Sequence, residues 1–461
     1  MTAKLISNIR ISKLFGMYTY SIPDLGELTN AAILYGDNGV GKSSLLRLVF
    51  HLLSAAENRG HRTALYKADF ERLEVTLSSG AKLVASITAT SPNKLLLLEV
   101  LQGEKRLAVW DYHPREESRF FEEDTIYLEV NDGVHKLVRG RTPNARKKEF
   151  EGIPRGEKPY LEALRAHVPS LFILNADRRL DSDGVADPSD EVELRRTMQY
   201  GEPKRINELV VRSREIALSQ ALNTSARWIS RKAVQSTNLG SMNVHSVYGE
   251  VLKHLVSRDS NKTLATVSVS IPDLLRQLTT IDTKSQEHAL YELATHLPTD
   301  DFRRKLSGRR TKKTGLAAEL LQPYVKSVEG RLSAVEPIYR LIDRFVKIVN
   351  SLLTDKSIDF KLSQGFTIKN KLGLALKPAQ LSSGEQQLLL LFCYVLTARD
   401  TPTIFMIDEP EISLNVKWQR QLVQSLLDIT DGASIQFIFA SHSMELLAQH
   451  RSRVVKLQNK Q

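Results

Sequence analysis

A chain of 461 residues exceeds one typical domain, so one large α/β domain with a second region is the expected organisation. With 42% hydrophobic and 25% charged residues it is of ordinary globular composition, which excludes a disordered chain. Its longest apolar stretch, Leu388 to Leu396, falls well short of the roughly 18 residues that cross a bilayer, so no membrane partner is expected.

The formal charge of +11 and pI near 9.4 suggest an anionic partner. A single cysteine, Cys393, excludes a disulfide framework and any Cys-rich zinc site. Met1-Thr-Ala-Lys4 leads into a strand pattern rather than a leader peptide, and the expected location is the cytoplasm.

In chain order, Leu5-Ile6, Ile9 and Ile11 followed by Tyr18 to Ile22 predict a hairpin, and Ala31 to Tyr35 a short buried strand. A helix follows from Ser43 to about Glu57, its inner side carrying Leu45, Leu46, Leu48, Val49, Leu52 and Leu53. Residues 71–138 alternate around Leu73 to Leu77, Leu83 to Ile87, Leu95 to Leu101, Leu107 to Trp110 and Ile126 to Val130. Turns at Ser78-Ser79-Gly80 and Asn131-Asp132-Gly133 complete an appended antiparallel sheet. Leu171 to Leu174 is a compact strand leading into the polar run Asn175-Ala-Asp177-Arg178-Arg179.

From about 191 to 350 the pattern is mostly helical, as at Glu208 to Leu222, Val247 to Val256, Gln286 to Ala294 and Ala334 to Leu353. Breaks are expected at Asn238-Leu-Gly240, Pro272, Pro298 and Gly308 to Gly315. Beyond Ile358 come a strand pair, a helix after Ser383, and strands at Thr403 to Ile407, Ile435 to Phe439 and Arg453 to Leu457. The interleaved helices predict a parallel sheet. The expected fold class is therefore α/β: a head with a mixed sheet formed by 1–190 and 355–461, an antiparallel β subdomain at about 70–138, and a helical insertion at 191–354. Basic residues cluster in that insertion, at Arg195 to Lys232 and at Arg303-Arg304-Lys305 with Arg309-Arg310 and Lys312-Lys313.

Three motifs carry chemistry. Gly36-Asp37-Asn38-Gly39-Val40-Gly41-Lys42-Ser43-Ser44 stands between an apolar strand and an apolar-faced helix, the context of a phosphate-binding P-loop. Glycines let backbone N–H groups close around phosphates, Lys42 reaches the β- and γ-phosphates, and the Ser43 hydroxyl suits Mg²⁺. Thr403 to Ile407 is an apolar strand ending in Asp408-Glu409-Pro410; Asp408 is placed to hold Mg²⁺ and Glu409 to act as general base toward water. Leu381-Ser382-Ser383-Gly384-Glu385-Gln386-Gln387, about twenty residues before that strand, opens a helix at a small-residue turn, which makes a second anion site and also reads as a Ser382–Glu385 capping box.

These residues resemble the P-loop, signature and Walker B elements of ABC-type ATPases, most closely the soluble branch that contains SMC, Rad50, RecF and the OLD-like, AAA-labelled defence ATPases. The resemblance covers roughly 1–60, 165–180 and 355–461. It implies ATP and Mg²⁺ as cofactors, ATP hydrolysis, and a homodimer of heads in which Ser383 and Gly384 act on the nucleotide of the second copy. Glu411 to Gln419 resembles that branch's D-loop stretch, with Asn415 where a histidine often stands. Ala440-Ser441-His442-Ser443 after a strand resembles the switch histidine that senses the γ-phosphate. No unambiguous Q-loop glutamine is found; Asn175 to Arg178 stands where this branch often carries an acidic–arginine element, and Phe15 or Tyr18 is a candidate for stacking on adenine.

The opening Ile9 to Gly16 and the chain's size are similar to stand-alone ATPases of anti-phage systems of the PARIS, Septu and retron-associated types, PARIS foremost. That likeness implies a homo-oligomer that restrains a separate nuclease effector. The alternative is a DNA-repair ATPase of RecF or Rad50 kind with nucleic acid as its partner, which the basic clusters fit. An insertion of about 150 residues is too short for an SMC-length arm, and Cys-X-X-Cys of a zinc hook is absent. A transporter subunit fits badly because about 340 residues separate Lys42 from Gly384, and a fused Toprim nuclease is not expected.

Overall fold

A computed structural model describes residues 5–57, 59–90, 93–114, 125–131, 134–140, 153–175, 180–182, 203–241, 270–308, 312–412 and 414–460. The chain divides into two compact units, Met1–Ile206 with Ala398–Gln461, and Asn207–Thr397.

The first unit opens with β1 (Ile6–Leu14), β2 (Tyr18–Ile22), β3 (Ala31–Tyr35), α1 (Lys42–Leu53) and α2 (His61–Lys67). Then follow β4 (Arg72–Leu77), β5 (Ala81–Thr90), β6 (Asn93–Gln102), β7 (Lys105–Tyr112), β8 (Thr125–Asn131), β9 (Val134–Gly140), α3 (Glu157–His167), β10 (Ser170–Leu174) and β11 (Leu180–Ser182). An antiparallel sheet runs β2-β1-β4-β5-β6-β7, so the expected appended sheet shares its strands with the N-terminal hairpin. β8 is the strand expected at Ile126 to Val130, but it pairs with β9 rather than with that sheet.

In the second unit lie α4 (Pro203–Ser241, which begins a few residues before the division), α5 (Ile271–Ala289), α6 (Asp300–Leu306), α7 (Lys312–Leu352), β12 (Lys356–Lys361), β13 (Gly365–Asn370), β14 (Ala375–Leu376) and α8 (Ser383–Thr397). β12–β14 and α8, read above with the C-terminal part of the head, thus group with the helices. The chain then returns to the first unit with β15 (Thr403–Asp408), α9 (Val416–Ile429), β16 (Ile435–Ala440), α10 (Met444–Gln449) and β17 (Val454–Lys456).

β15 and β16 join strands from the other end of the sequence in the order β11-β10-β15-β16-β3-β17, parallel except for β11. A hydrophobic strand that is buried on both faces needs no alternation, and β15 and β16 are buried at every position. One face carries the in-register ring stack Phe172–Phe405–Phe437. From the other, Ile173, Met406, Ile438 and Ala32 join the core that α1 and the antiparallel sheet also build. The amide of Gln436, wholly buried in β16, ties this sheet to β1 by donating to Ile6 O (2.9 Å) and accepting from Ile6 N (2.6 Å).

Three expected features of the helical region differ. Asn238-Leu-Gly240 lies inside α4 and Gly315 inside α7, because a long helix tolerates a glycine at about 1 kcal/mol. At Pro272, by contrast, a helix boundary does fall as expected: it sits in the first turn of α5, where a missing N–H costs nothing. The helix expected to reach Ala294 stops at Ala289; Glu292 takes a left-handed φ of 60° and its carboxylate accepts Ser363 N. Val247 to Val256 lies outside the described residues.

Candidate nucleotide-binding site

Strand register builds the site. Asp408, the last residue of β15, pairs with Ala440, the last of β16, which pairs with Leu34 near the end of β3. The segments after these residues, Glu409 onward, Ser441-His442 and Gly36 to Gly41, therefore leave one edge of the sheet together. Such carboxyl ends of parallel strands are where open α/β sheets bind ligands.

Gly36 to Gly41 turns from β3 into α1 with Gly39 at φ 83° and Gly41 at φ 86°. A Cβ at position 41 would stand 2.7 Å from Leu14 Cδ2 and 3.0 Å from Phe15 Cε2, so only glycine fits there. The loop is pinned by Tyr20, whose hydroxyl donates to Val40 O at 2.9 Å. Asp37, Asn38 and Gly39 are exposed, Gly36 is buried, and Ser43 and Ser44 are half-buried in the first turn of α1. Among the described residues no side chain caps that turn and it holds no acid, which leaves its N–H groups and the helix dipole suited to an anion.

Lys42 is buried, and its Nζ donates to Gly36 O (2.8 Å) and Asp37 O (2.9 Å). Burial pulls its pKa below the usual amine value, against the pull of Glu409, Asp37, Asp408 and Glu411. Ser43 Oγ donates to Asp408 Oδ1 at 2.7 Å, and Arg47, one turn along α1, reaches Asp408 Oδ2 at 3.4 Å. The Asp408 side chain is fully buried. Glu409 takes a left-handed φ of 48°, uncommon outside glycine, and its N–H donates to Ala440 O at 2.8 Å. Its carboxylate is half-exposed and has no hydrogen-bond partner among the described residues.

Beyond β16, Glu411 gathers the loop. Its Oε1 accepts His442 N (2.7 Å) and Ser443 N (3.0 Å), and Ser441 Oγ lies 2.9 Å from both carboxylate oxygens. The His442 ring is half-exposed and makes no hydrogen bond among the described residues. Asn415 caps α9 by accepting Trp418 N at 2.9 Å, a structural task.

The second unit holds the remaining expected residues. Ser382 and Ser383 are exposed at the start of α8, Gly384 is buried, and the Ser382–Glu385 capping box is present. Glu385 is itself buried and its carboxylate is held by Lys356 Nζ at 2.8 and 2.9 Å. Burial alone would raise its pKa, but Lys356 and the Ser382 N–H outweigh it and lower it. Glu385 therefore bonds within its own unit, leaving Ser382 and Ser383 as the exposed polar residues of the turn.

Phe15, at φ 55° and 40% exposed, lies against Gly41 at the loop, whereas Tyr18 stacks on Tyr20. Of the acidic–arginine element only Asn175 falls within the described residues. Sequence reasoning missed the parts played by Glu411, Arg47 and Lys356. Each is a charged side chain whose partner comes from a distant segment, and the one local signal was the second acid of Asp408-Glu-Pro-Glu411.

The parallel sheet, the glycine loop entering α1, and the strand-end acids define an α/β P-loop domain. A family described as "AAA domain, putative AbiEii toxin, Type IV TA system" matches residues 276–448, a little over a third of the chain. The molybdenum import ATP-binding protein ModC of Escherichia coli K12 is 33% identical over 84 residues, and ModC of Shigella flexneri equally so. That segment is 18% of this chain and 23% of the relatives, so the chain spans about a quarter of their length. Among solved structures, the Smc head domain with an extended coiled coil from Pyrococcus furiosus, bound to the C-terminal domain of ScpA, aligns over 97% of this chain and 92% of its own at 11% identity and a TM-score of 0.34. The Smc head with coiled coil and joint from Pyrococcus yayanosii gives 12% and 0.32 over 97% and 94%. Among the described residues no helix is long and apolar enough to cross a membrane.

Proposed function

We propose that the protein binds ATP with Mg²⁺, hydrolyses it, and uses nucleotide-dependent pairing of two heads to control a separate effector protein. The observation that carries the enzymatic part is the meeting of Lys42, Ser43, Asp408, Glu409 and His442 at one sheet edge. In this reading Lys42 exchanges its two carbonyl acceptors for phosphate oxygens, and the N–H groups of Asn38 to Ser44 cradle the phosphates. Glu409 takes the proton of the attacking water, and His442 donates to the γ-phosphate.

The donor set fits Mg²⁺: a hydroxyl and a carboxylate oxygen 2.7 Å apart are hard ligands, and such a site takes few protein ligands beside phosphates and water. When bound, the ion neutralises charge developing on the phosphate oxygens. Ser382 and Ser383, exposed at the start of α8 with Gly384 beside them, would close on nucleotide held by a second copy.

The effector part draws on the resemblance to anti-phage ATPases, PARIS-type ahead of Septu and retron-associated ones, and on the toxin–antitoxin wording of the family matched at 276–448. In that reading the protein is the sensor and scaffold that holds a nuclease toxin. Two measurements test it. Glu409→Gln should bind ATP normally, turn it over about a hundredfold or more slowly, and collect as an ATP-bound dimer by light scattering; normal turnover would remove the base role. Co-expression with a nuclease encoded beside it should suppress that nuclease's toxicity and co-purify the two; equal toxicity with and without this chain would remove the effector role.

A second reading, direct clamping of DNA, is favoured by Arg227 and Arg231, exposed one turn apart on α4. Arg303 and Arg304, by contrast, pair with Asp300 and Asp301, which leaves less field for phosphates. ATP-stimulated DNA retention that weakens steeply with salt would favour this reading over the first.

A further inference from the structure

The loop after β15 and the loop after β16 are stitched together on three levels. Glu411 accepts from the backbone of His442 and Ser443 and contacts the Ser441 hydroxyl, as described. Ser441, wholly buried, also accepts Ser443 N at 3.0 Å. Gln419 on α9 then bridges both loops: its Nε2 donates to Leu414 O (2.9 Å) and Glu411 O (3.4 Å), while its Oε1 accepts Ser443 Oγ at 2.8 Å. Ser443 in turn caps α10 by accepting Leu446 N.

We propose that Glu411 is the positioning residue for His442, fixing its backbone so that the ring, which makes no hydrogen bond among the described residues, meets the γ-phosphate, and coupling that ring to the loop after β15. The role rests on the ATPase reading above and goes beyond it. A carboxylate has about four lone-pair directions, enough to take two N–H groups and a hydroxyl at once. With Glu411 removed, His442 N loses its acceptor and Ser443 N keeps only Ser441 Oγ, so the backbone at the base of the histidine is held less tightly. A catalytic group displaced by about 1 Å loses about a hundredfold in rate. Glu411 does not itself reach the reacting atoms; it acts through His442. Its charge also bears on Lys42, so the same carboxylate touches both sides of the phosphate site electrostatically. Glu411 and Leu414 are thereby tied to the γ-phosphate sensor through the Glu411 carboxylate and Gln419, beside the backbone bond from Glu409 N to Ala440 O, so a displacement of one loop is felt by the other.

The test is steady-state ATPase kinetics on the full chain, with wild type, Glu409→Gln, Glu411→Ala, Glu411→Gln, His442→Ala and the double variant Glu411→Ala/His442→Ala. Glu411→Ala should lower kcat by roughly tenfold to a hundredfold with KM within about threefold. Glu411→Gln keeps one oxygen for the two N–H groups and should recover most of the rate. The double variant should be no slower than His442→Ala alone, because the two act as one unit. Wild-type kcat in Glu411→Ala, or losses that multiply in the double variant, would overturn the proposal. Where the alanine variant does not fold, the comparison passes to Glu411→Asp, whose shortened side chain misses the loop; full activity there overturns the proposal equally. A wild-type chain that does not hydrolyse ATP is a different result, since it removes the ATPase reading itself.

Discussion

Ser43 Oγ donates to Asp408 Oδ1 across 2.7 Å, although 365 positions of sequence separate them. One residue lies in the first turn of α1 and the other closes β15, so the bond joins the two strand-end motifs into one site. Ser43→Ala should leave the fold intact and ATP binding without Mg²⁺ unchanged, while the gain in affinity that Mg²⁺ confers falls about tenfold, the loss of one oxygen ligand. Calorimetric titration with and without Mg²⁺ checks this; an undiminished Mg²⁺ effect would separate Ser43 from the ion.

Lys42 spends its charge on two loop carbonyls, Gly36 O and Asp37 O, at 2.8 and 2.9 Å. Those bonds hold the loop in the shape that phosphates would enter, and the same ammonium would then bind them. Lys42→Ala should therefore weaken ATP by about a hundredfold, the loss of charge-assisted bonds worth about 3 kcal/mol. ATP affinity equal to wild type in a titration would contradict the P-loop assignment.

The P-loop, the acid pair and their strands were legible because each is local: an apolar strand, a glycine turn and an amphipathic helix lie within about 25 residues at Ala31 to Leu53. Strand pairing was less so. Alternation at Ile126 to Val130 marks β8 as a strand but says nothing of which edge it joins. Glycines misled at Asn238 to Gly240 and at Gly315, where helices of 39 and 41 residues outweigh a single poor helix former. Glu411 was out of reach for a different reason: its partners Ser441 to Ser443 lie 30 to 32 positions away, and only the β15–β16 register brings them together.

Gln436 was equally illegible as a structural residue, for a lone amide in the apolar run Ile435 to Phe439 carries no sign of its partners. In the fold it donates to Ile6 O and Thr29 O and accepts from Ile6 N. Gln436→Leu keeps the bulk but strands three backbone groups, two of them at the buried Ile6. A loss of about 2–5 kcal/mol is expected. Urea unfolding of the variant checks it, and a loss below about 1 kcal/mol would mean that water or neighbouring backbone replaces the amide.

His51 and His61 give the fold a predictable acid response. Their Nδ1 atoms are 2.9 Å apart, both side chains pack near Arg62, and Phe50 stacks edge-on against His61. Burial first, then the charge of Arg62 and Arg47, brings His51 down to about 4. Burial, then His51, Arg62 and Arg59, brings His61 down to about 3. Both rings are therefore neutral in the folded protein where the unfolded chain, with its usual value near 6.5, already binds protons. More protons bound in the unfolded state means stability that rises with pH. The contribution is complete above about pH 6.5 and drains away as pH falls through the window toward 4 and then 3, at up to about 1.4 kcal/mol per unit for each ring. His288 and His450 are lowered as well, chiefly by burial, and add to the same slope. Replacing the pair, as His51→Asn with His61→Gln, should thus flatten only part of the fall in thermal midpoint between pH 7 and 5. The comparison of wild type with this variant isolates the pair; identical pH slopes would show that the two rings are already protonated, or exposed, in the native protein.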